Sequence, residues 1–343
     1  PPPPSYTHTP PPENYTLTHS SAASDVYKRQ AYNLLHIMDV SDPSNMREIG
    51  VNSNDLHGPV DLRVMAQHAY ILSELSNRLT VLDVSDPVQP AWAASTGTAD
   101  RPTALAISGS FAYVVALGPV EEPAGTLTIY DLSDPSNIVQ RGTIGTNIDA
   151  PTDIVVDGVF AYVTSQGNFS IFDISEPDNI QARGSTSEMA DIPSSVHLAE
   201  NVAWVTMEGG QMLVAYDVAN PDQITLLGLT VENMANPKAV WVSGNYAYVA
   251  SSGNDRLAIF DVSDPANIMP LGYDSSGLSK PVALAVSGHR VFVASESNDS
   301  LFAFDIDYLN SPALIAGTAF TERLDVTGLT RVNRLDVGSH AHI

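Results

Sequence analysis

The sequence predicts an all-β fold, and three observations point to it. A segment exemplified by Leu257 to Gly272, LAIFDVSDPANIMPLG, occurs seven times, the last time in a degenerate form. The copies are anchored by aspartates 42 to 48 residues apart, a spacing typical of repeat arrays. Each aspartate ends a short run in which apolar and polar residues alternate, which is the period of a half-buried strand. The anchors are Asp39, Asp83, Asp131, Asp173, Asp217, Asp261 and Asp305.

Each repeat carries signals for four short strands. The run LTIY at 127–130 is too short for a helix, and the Ser-Asp-Pro after Asp131 favours a tight turn, because proline presets φ and the polar side chains can bond the local backbone. Upstream, the runs 102–109 and 112–115 read as two strands joined by a turn around glycine. A fourth strand ends near Gly142. Four antiparallel strands about every 44 residues predict one blade of a β-propeller.

These motifs also resemble a known repeat. The signature LxIxDVSDP, preceded by PxxLxVxG and AYV, is similar to the LVIVD repeat, a propeller-forming repeat of bacteria and archaea. The resemblance covers about residues 31–343 and departs most at 307–312, where DYLNSP replaces the tight Ser-Asp-Pro. It implies a propeller and an exported protein, and it brings no catalytic motif whose residues could be matched here.

The first 30 residues do not read as part of this fold. Residues 1–19 are rich in Pro, Thr and Tyr, a composition that cannot bury a core. Residues 20–30, SSAASDVYKRQ, match the translation of a transposon-type sequencing adaptor. We therefore interpret residues 1–30 as a disordered, artefactual leader and residues 31–343 as a single propeller domain. If the leader replaces the true beginning of the protein, this domain is a fragment of a longer chain.

The two ends of the repeat region set the expected number of blades. Ala31 and Tyr32 begin within the second strand of a blade, and residues 331–343 resemble the first two strands of a repeat. If the tail completes the opening blade, the chain forms seven blades, one of them shared between the termini, and leaves no open edge. If the tail begins an eighth repeat, the fragment is cut at both ends. We expect seven blades.

Composition excludes several classes of function. Fifteen Lys and Arg against 39 Asp and Glu give a net charge of −24, which opposes binding to nucleic acid or anionic membrane. The absence of cysteine excludes disulfides and thiolate chemistry, and no run approaches the roughly 20 apolar residues of a membrane-spanning helix. The acidity is typical of a solvated surface, with attraction of a divalent cation such as calcium as the alternative. We expect no other cofactor.

The candidate site residues lie in loops that a propeller gathers around its central channel. Converging polar groups beside a pocket indicate a binding site, although Asp, Asn and Pro in such loops also make turns and cap strands. One loop, 117–125, is longer than its counterparts, and insertions often map to a binding face. The candidates are Asp55, His57, Asp61, Asp100, Arg101, Asp149, Asp153, Asp191, Asn236, Lys238 and Lys280, with Glu121 and Glu122 in the longer loop.

Three functions remain open at this point; besides the two that follow, the chain could be a purely structural module within a much larger surface protein, which would bind no ligand by itself. The first is a non-catalytic, exported or cell-surface propeller that serves as a binding or display scaffold for a protein or carbohydrate, without direct membrane insertion. The second is a metal-assisted hydrolase or lactonase-like enzyme in the channel, with His57, Asp61, Asp149 and Asp153 as ligands or bases. Because the sequence contains no GxSxG, HExxH or Walker-type motif, we favour the scaffold and assign no catalytic or metal-binding residue.

Overall fold

The repeats fold into antiparallel sheets in which strands adjacent in sequence pair with each other. The structure is a computed structural model that describes residues 33–306 apart from 41, 43–45, 122–124, 187–190, 289 and 299. The regular elements of this part are 25 β-strands. The prediction of four strands per repeat is confirmed in five consecutive sheets.

The strands have the following bounds. A two-stranded sheet comprises β1 (Leu35–Asp39) and β2 (Arg47–Asn52). The five four-stranded sheets comprise β3 (Pro59–Met65), β4 (His68–Ser73), β5 (Arg78–Asp83) and β6 (Ala91–Gly97); β7 (Pro102–Ser108), β8 (Phe111–Ala116), β9 (Thr126–Asp131) and β10 (Val139–Ile144); β11 (Pro151–Asp157), β12 (Phe160–Ser165), β13 (Asn168–Asp173) and β14 (Gln181–Ser185); β15 (Pro193–Ala199), β16 (Val202–Met207), β17 (Met212–Asp217) and β18 (Thr225–Thr230); β19 (Pro237–Ser243), β20 (Tyr246–Ser251), β21 (Arg256–Asp261) and β22 (Met269–Asp274). A three-stranded sheet comprises β23 (Pro281–Ser287), β24 (Arg290–Ser295) and β25 (Ser300–Asp305).

The middle strands of each sheet are apolar because they are covered on both faces. In β8, the neighbouring residues Val114 and Val115 point to opposite sides and are both buried. Val114 joins a core shared with the preceding sheet, and Val115 joins a core shared with the following one. The hydrophobic core is therefore divided into layers between successive blades, and the last strand of a blade, such as β10, is largely exposed.

The repeated Asp-x-Ser-Asp-Pro segments make turns, as predicted. Asp131 accepts a hydrogen bond from the Ser133 backbone N–H at 2.9 Å, and Asp134 accepts one from the Ser136 N–H at 3.0 Å. Hydrogen bonds from the side chain and backbone of Ser133 lower the pKa of Asp131. The same bond recurs at Asp173 and Asp261. These aspartates hold the backbone of the turn that ends each third strand.

The prediction of seven blades is wrong, because the part of the chain that the structure describes forms six. All seven anchoring aspartates end a third-strand equivalent, but the first of these strands, β1, belongs to a sheet of only two strands. Six inner strands, β3, β7, β11, β15, β19 and β23, line the central channel. The number of anchoring aspartates therefore gives the number of third strands, whereas a complete blade also requires an inner strand. Residues 331–343, which were expected to complete the first blade, lie outside the described residues.

Membrane-spanning helices were also sought. Within the part of the chain that the structure describes, no helix has the length and apolar character needed to cross a membrane.

Candidate functional site in the central channel

The inner strands enclose a channel with a volume of about 800 Å³. Each inner strand begins with a proline, and in all six the pairing register shifts between the proline and the third residue. A bulge of this kind redirects the side chains around it. In the strands β3 and β11 it accompanies an aspartate at the third position, and both aspartates line the channel.

The first of these aspartates forms a buried ion pair. Asp61 is 7% exposed, and one carboxylate oxygen accepts hydrogen bonds from the Arg63 guanidinium and from the Leu62 backbone N–H. The other oxygen accepts the Leu105 N–H of the next inner strand at 2.8 Å. Burial raises the pKa of Asp61, although the Arg63 charge and the hydrogen bonds act in the opposite direction. Asp61 therefore joins two blades and holds an arginine at the channel wall.

The second aspartate repeats the backbone contacts but has a different charge environment. Asp153 accepts the Ile154 N–H at 2.8 Å and, from the next inner strand, the Val196 N–H at 2.9 Å. Burial raises its pKa to about 6; the hydrogen bond from Val196 and the charge of Arg63 lower it, and the negative charge of Asp61 raises it further. The mutual influence of these charges places Asp61, Arg63 and Asp153 in one electrostatic environment.

A histidine and a tryptophan continue the wall beyond Asp153. His197 and Trp241 line the channel from the strands β15 and β19, and their ring centroids are 4.7 Å apart with a tilt of 41°. The His197 Nδ1 atom accepts the Val242 backbone N–H at 3.4 Å. Burial lowers the pKa of His197 to about 4, so the imidazole is neutral near pH 7. The channel therefore offers a neutral ring beside an indole.

The channel lining carries additional charges. The Lys238 ammonium donates to the Glu208 carboxylate, and Glu74 also lines the channel. Hydroxyl groups connect adjacent inner strands here: the Ser194 Oγ atom donates to the Pro237 carbonyl at 2.7 Å. The lining holds four carboxylates and two cations. With the imidazole neutral, the channel has two more negative than positive charges; the groups are Asp61, Glu74, Asp153 and Glu208 against Arg63 and Lys238.

Three of the predicted site residues, Asp61, Asp153 and Lys238, are brought together in the channel. Several of the others shape the entering loops. Asp55, Arg101, Asn236 and Lys280 have φ between 51° and 59°, the left-handed region that non-glycine residues rarely adopt. The last three directly precede an inner-strand proline. Their positions are those of turn residues, which was the alternative reading of the loops.

The histidine and the remaining predicted carboxylates that the structure describes do not line the channel. Asp100 accepts the Asn77 amide at 2.8 Å, and Asp191 accepts the Ile192 N–H at 2.8 Å. The other candidates are exposed and are not among the channel-lining residues: His57, Asp149 and Glu121. The structure therefore does not join His57 to Asp61, which is buried. Glu122 lies outside the described residues.

Sequence reasoning missed Arg63, His197, Trp241 and Glu208. The first three occupy the fifth position of their inner strands, where β7, β11 and β23 have Ala106, Val155 and Ala285. The sequence did offer a signal for these three residues. The equivalent position is aliphatic or small in the other repeats, whereas here it is polar or a large aromatic residue. Among the described residues, no group of three or more His, Asp or Glu side chains is arranged to hold a metal ion.

The comparison with protein families identifies the repeat. The sequence model of the LVIVD repeat matches residues 31–52, 60–98, 102–146, 150–186 and 236–272, just over half of the chain. No curated protein sequence matches the chain.

Solved structures share the fold at low sequence identity. A functionally unknown protein from Desulfotomaculum acetoxidans is 16% identical, with a TM-score of 0.66 over 80% of this chain and 90% of that chain. A protein from Lactobacillus plantarum is 12% identical, with a TM-score of 0.68 over 81% and 89%. The periplasmic gluconolactonase of Pseudomonas aeruginosa is 15% identical, with a TM-score of 0.63 over 79% and 86%. Likeness at this level concerns the fold alone.

Proposed function

We propose that the chain, which belongs to the LVIVD repeat family, is a non-catalytic binding propeller that is exported or displayed at the cell surface. Its channel face takes a carbohydrate or protein partner. The proposal follows from the family membership and from the geometry of the channel. The observation that carries the proposal is the channel of about 800 Å³, in which Arg63, Asp153, His197 and Trp241 converge. This volume falls in the range of about 300–1,000 Å³ that holds small molecules.

A carbohydrate suits the chemistry of this lining. Sugar hydroxyls both donate and accept hydrogen bonds, and carboxylate, guanidinium and imidazole groups offer complementary partners in fixed planes. The apolar face of a sugar ring can pack on an indole, a large surface that loses little conformational entropy on binding. Asp153, His197 and Trp241 supply these elements from three successive inner strands.

The carboxylates support a binding role over a catalytic one. Both oxygens of Asp153 accept backbone N–H groups, and those of Asp61 accept two backbone N–H groups and the Arg63 guanidinium. A general base must give up such partners or share them with the proton that it abstracts. Groups that hold adjacent blades in register are therefore better suited to orient a ligand than to exchange protons with it.

Isothermal titration of the protein with a panel of monosaccharides and disaccharides tests the proposal. We expect saturable binding to at least one sugar and its weakening by Trp241→Phe, which removes the indole N–H and part of the stacking surface. Trp92→Phe is the matched control, because Trp92 lies on the outer strand β6 and is 51% exposed. Equal loss of binding in both variants, or no binding to any sugar or protein partner, would reject the channel as the site. Protease shaving of intact native cells tests the surface location: protection from protease contradicts display.

A lactone hydrolase is the second candidate. It is favoured by the pKa of about 6 at Asp153, which lets this carboxyl exchange a proton near neutral pH, and by the shared fold of a periplasmic gluconolactonase. Hydrolysis of glucono-δ-lactone, followed in a pH-stat, separates the two candidates. An acceleration that Asp153→Asn abolishes would favour the enzyme; a rate equal to that of buffer alone favours the binding protein.

A further inference from the structure

Asp153 differs from the other acidic groups of the channel in its partners. Asp61 is hydrogen-bonded to Arg63, and Glu208 is hydrogen-bonded to Lys238. The hydrogen bonds of Asp153 come from two backbone N–H groups, and in the part of the chain that the structure describes, no cationic side chain is hydrogen-bonded to it. The Arg63 charge acts on Asp153 from the ion pair that Arg63 makes with Asp61.

The Asp153 carboxylate has capacity for another donor. An ionised carboxylate has about four lone-pair positions, and the two backbone N–H groups use one at each oxygen. Because the residue lines the channel, a ligand donor can reach the remaining positions. A buried carboxylate without a cation is costly in free energy, and a cationic donor would offset that cost.

The field of the channel favours a cation as well. With Asp153 ionised, the lining carries two more negative than positive charges, inside a chain of net charge −24. Low-dielectric walls concentrate the potential of such a cleft and raise the local concentration of oppositely charged ligands.

The aromatic wall lies on the same side of the channel. The Val196 N–H that bonds Asp153 directly precedes His197, and the His197 ring contacts Trp241. The strands β11, β15 and β19 are consecutive inner strands, so the carboxylate, the imidazole and the indole follow one another along one wall. An indole face attracts a cation and also packs against the apolar face of a ring.

We propose that the channel binds a sugar that carries a protonated amine, with the ammonium group at Asp153 and the sugar ring against Trp241. This inference rests on the proposed carbohydrate-binding function and narrows its ligand class to amino sugars. Arg63 stays with Asp61 and serves as a hydrogen-bond donor to ring hydroxyls, while neutral His197 separates the two ends of the site.

Three sugars of similar shape provide the test. Glucosamine carries an ammonium group, whereas glucose and N-acetylglucosamine are neutral. We expect titration calorimetry at pH 6 and low salt to give an affinity for glucosamine about tenfold or more above that for glucose, as a charge-assisted hydrogen bond predicts. Asp153→Asn is expected to remove this preference, and Asp149→Asn, at an exposed position that does not line the channel, to keep it.

Proton release is a readout that needs no variant. An ammonium at Asp153 lowers the pKa of a carboxyl that titrates near 6, so binding at pH 6 releases protons, which buffers of different ionisation enthalpy detect. The other charged or titratable groups that line the channel are Asp61, Arg63, Glu74, His197, Glu208 and Lys238. Of these, His197 is already neutral at pH 6, because its pKa is about 4.

The outcomes separate the two proposals. If the three sugars bind equally and no protons are released, the amino-sugar inference is overturned while carbohydrate binding stands. If none of the sugars binds, both the inference and its carbohydrate premise are rejected. If glucosamine binds preferentially but Asp153→Asn, shown to be folded by its thermal melt, retains the preference, the ammonium lies elsewhere and the assignment to Asp153 is overturned.

Discussion

The ion pair between Asp61 and Arg63 provides the sharpest test of how the channel is built. The perturbations are Asp61→Ala, Arg63→Ala and the double variant. Alanine is already present at the equivalent third position of β7, β19 and β23 and at the fifth position of β7 and β23, so the backbone accommodates it at both sites. The measured effects should therefore report the loss of the pair rather than a disrupted strand.

The structure sets the expected magnitudes. Asp61→Ala leaves the half-buried Arg63 guanidinium and the Leu105 N–H without their carboxylate, and removing one partner of a buried ion pair costs about 3–5 kcal/mol. Arg63→Ala should cost less, because Asp61 keeps two backbone N–H donors and can take up a proton, its pKa being raised already. The double variant leaves neither member of the pair without its partner, and its cost should fall short of the sum by about 1–3 kcal/mol.

Urea unfolding of the four proteins gives the free energies of unfolding that this cycle requires. Asp149→Ala, at an exposed position, is the control and should change the free energy by no more than about 0.5 kcal/mol. If the two single costs add up to that of the double variant within about 0.5 kcal/mol, the pair is not energetically coupled, and the account of Asp61 as a clamp between blades fails.

Three further predictions concern the pH dependence, the packing between blades and cofactors. The pKa of Asp153 is about 6 in the folded chain against an ordinary 3.8, so the folded state binds more protons between these values. The free energy of unfolding relative to Asp153→Asn should therefore fall by roughly 2 kcal/mol as pH rises from 4 to 6. A difference between the two proteins that stays constant across this pH range in urea unfolding would contradict this. A Cβ on Gly142 would lie 2.5 Å from the Pro177 carbonyl oxygen of the next blade, so Gly142→Ala should cost about 1–3 kcal/mol, whereas Gly97→Ala, with nothing within 4 Å, should cost under about 0.5. Saturating calcium is expected to leave the melting temperature unchanged, and a rise would reveal a specific site on the folded chain.

The fold could be predicted because its determinants are local and repeated. The Asp131 turn, the apolar run through Val114 and Val115, and the proline at each inner strand occur at the same places in successive repeats. The blade count could not be read in the same way. The anchor Asp39 indicates the third strand of a blade, and the local pattern around it does not indicate whether an inner strand is present in the same sheet.

The site was harder to predict because it depends on register. The loops around His57 and Asp149 carry the chemistry that draws attention in a sequence, but both side chains are exposed and neither lines the channel. The bulge between the first and third residues of each inner strand decides which side chains face inward, and an apolar–polar pattern does not reveal it. Arg63 and Trp241 both occupy the fifth position of their strands, and nothing within a single repeat shows that this position lines the channel.

The same comparison of equivalent positions indicates what kind of ligand the channel can recognise. The third and fifth positions of β7 are alanines that line the channel, whereas β3 and β11 place carboxylates and a guanidinium at these positions, and β15 and β19 place an imidazole and an indole. A nearly symmetric scaffold thus encloses an asymmetric lining, with polar, aromatic and small apolar sectors. Such a lining distinguishes the orientation of a small ligand that has one charged or strongly polar end, because each rotation about the channel axis would bury that end against a different chemistry.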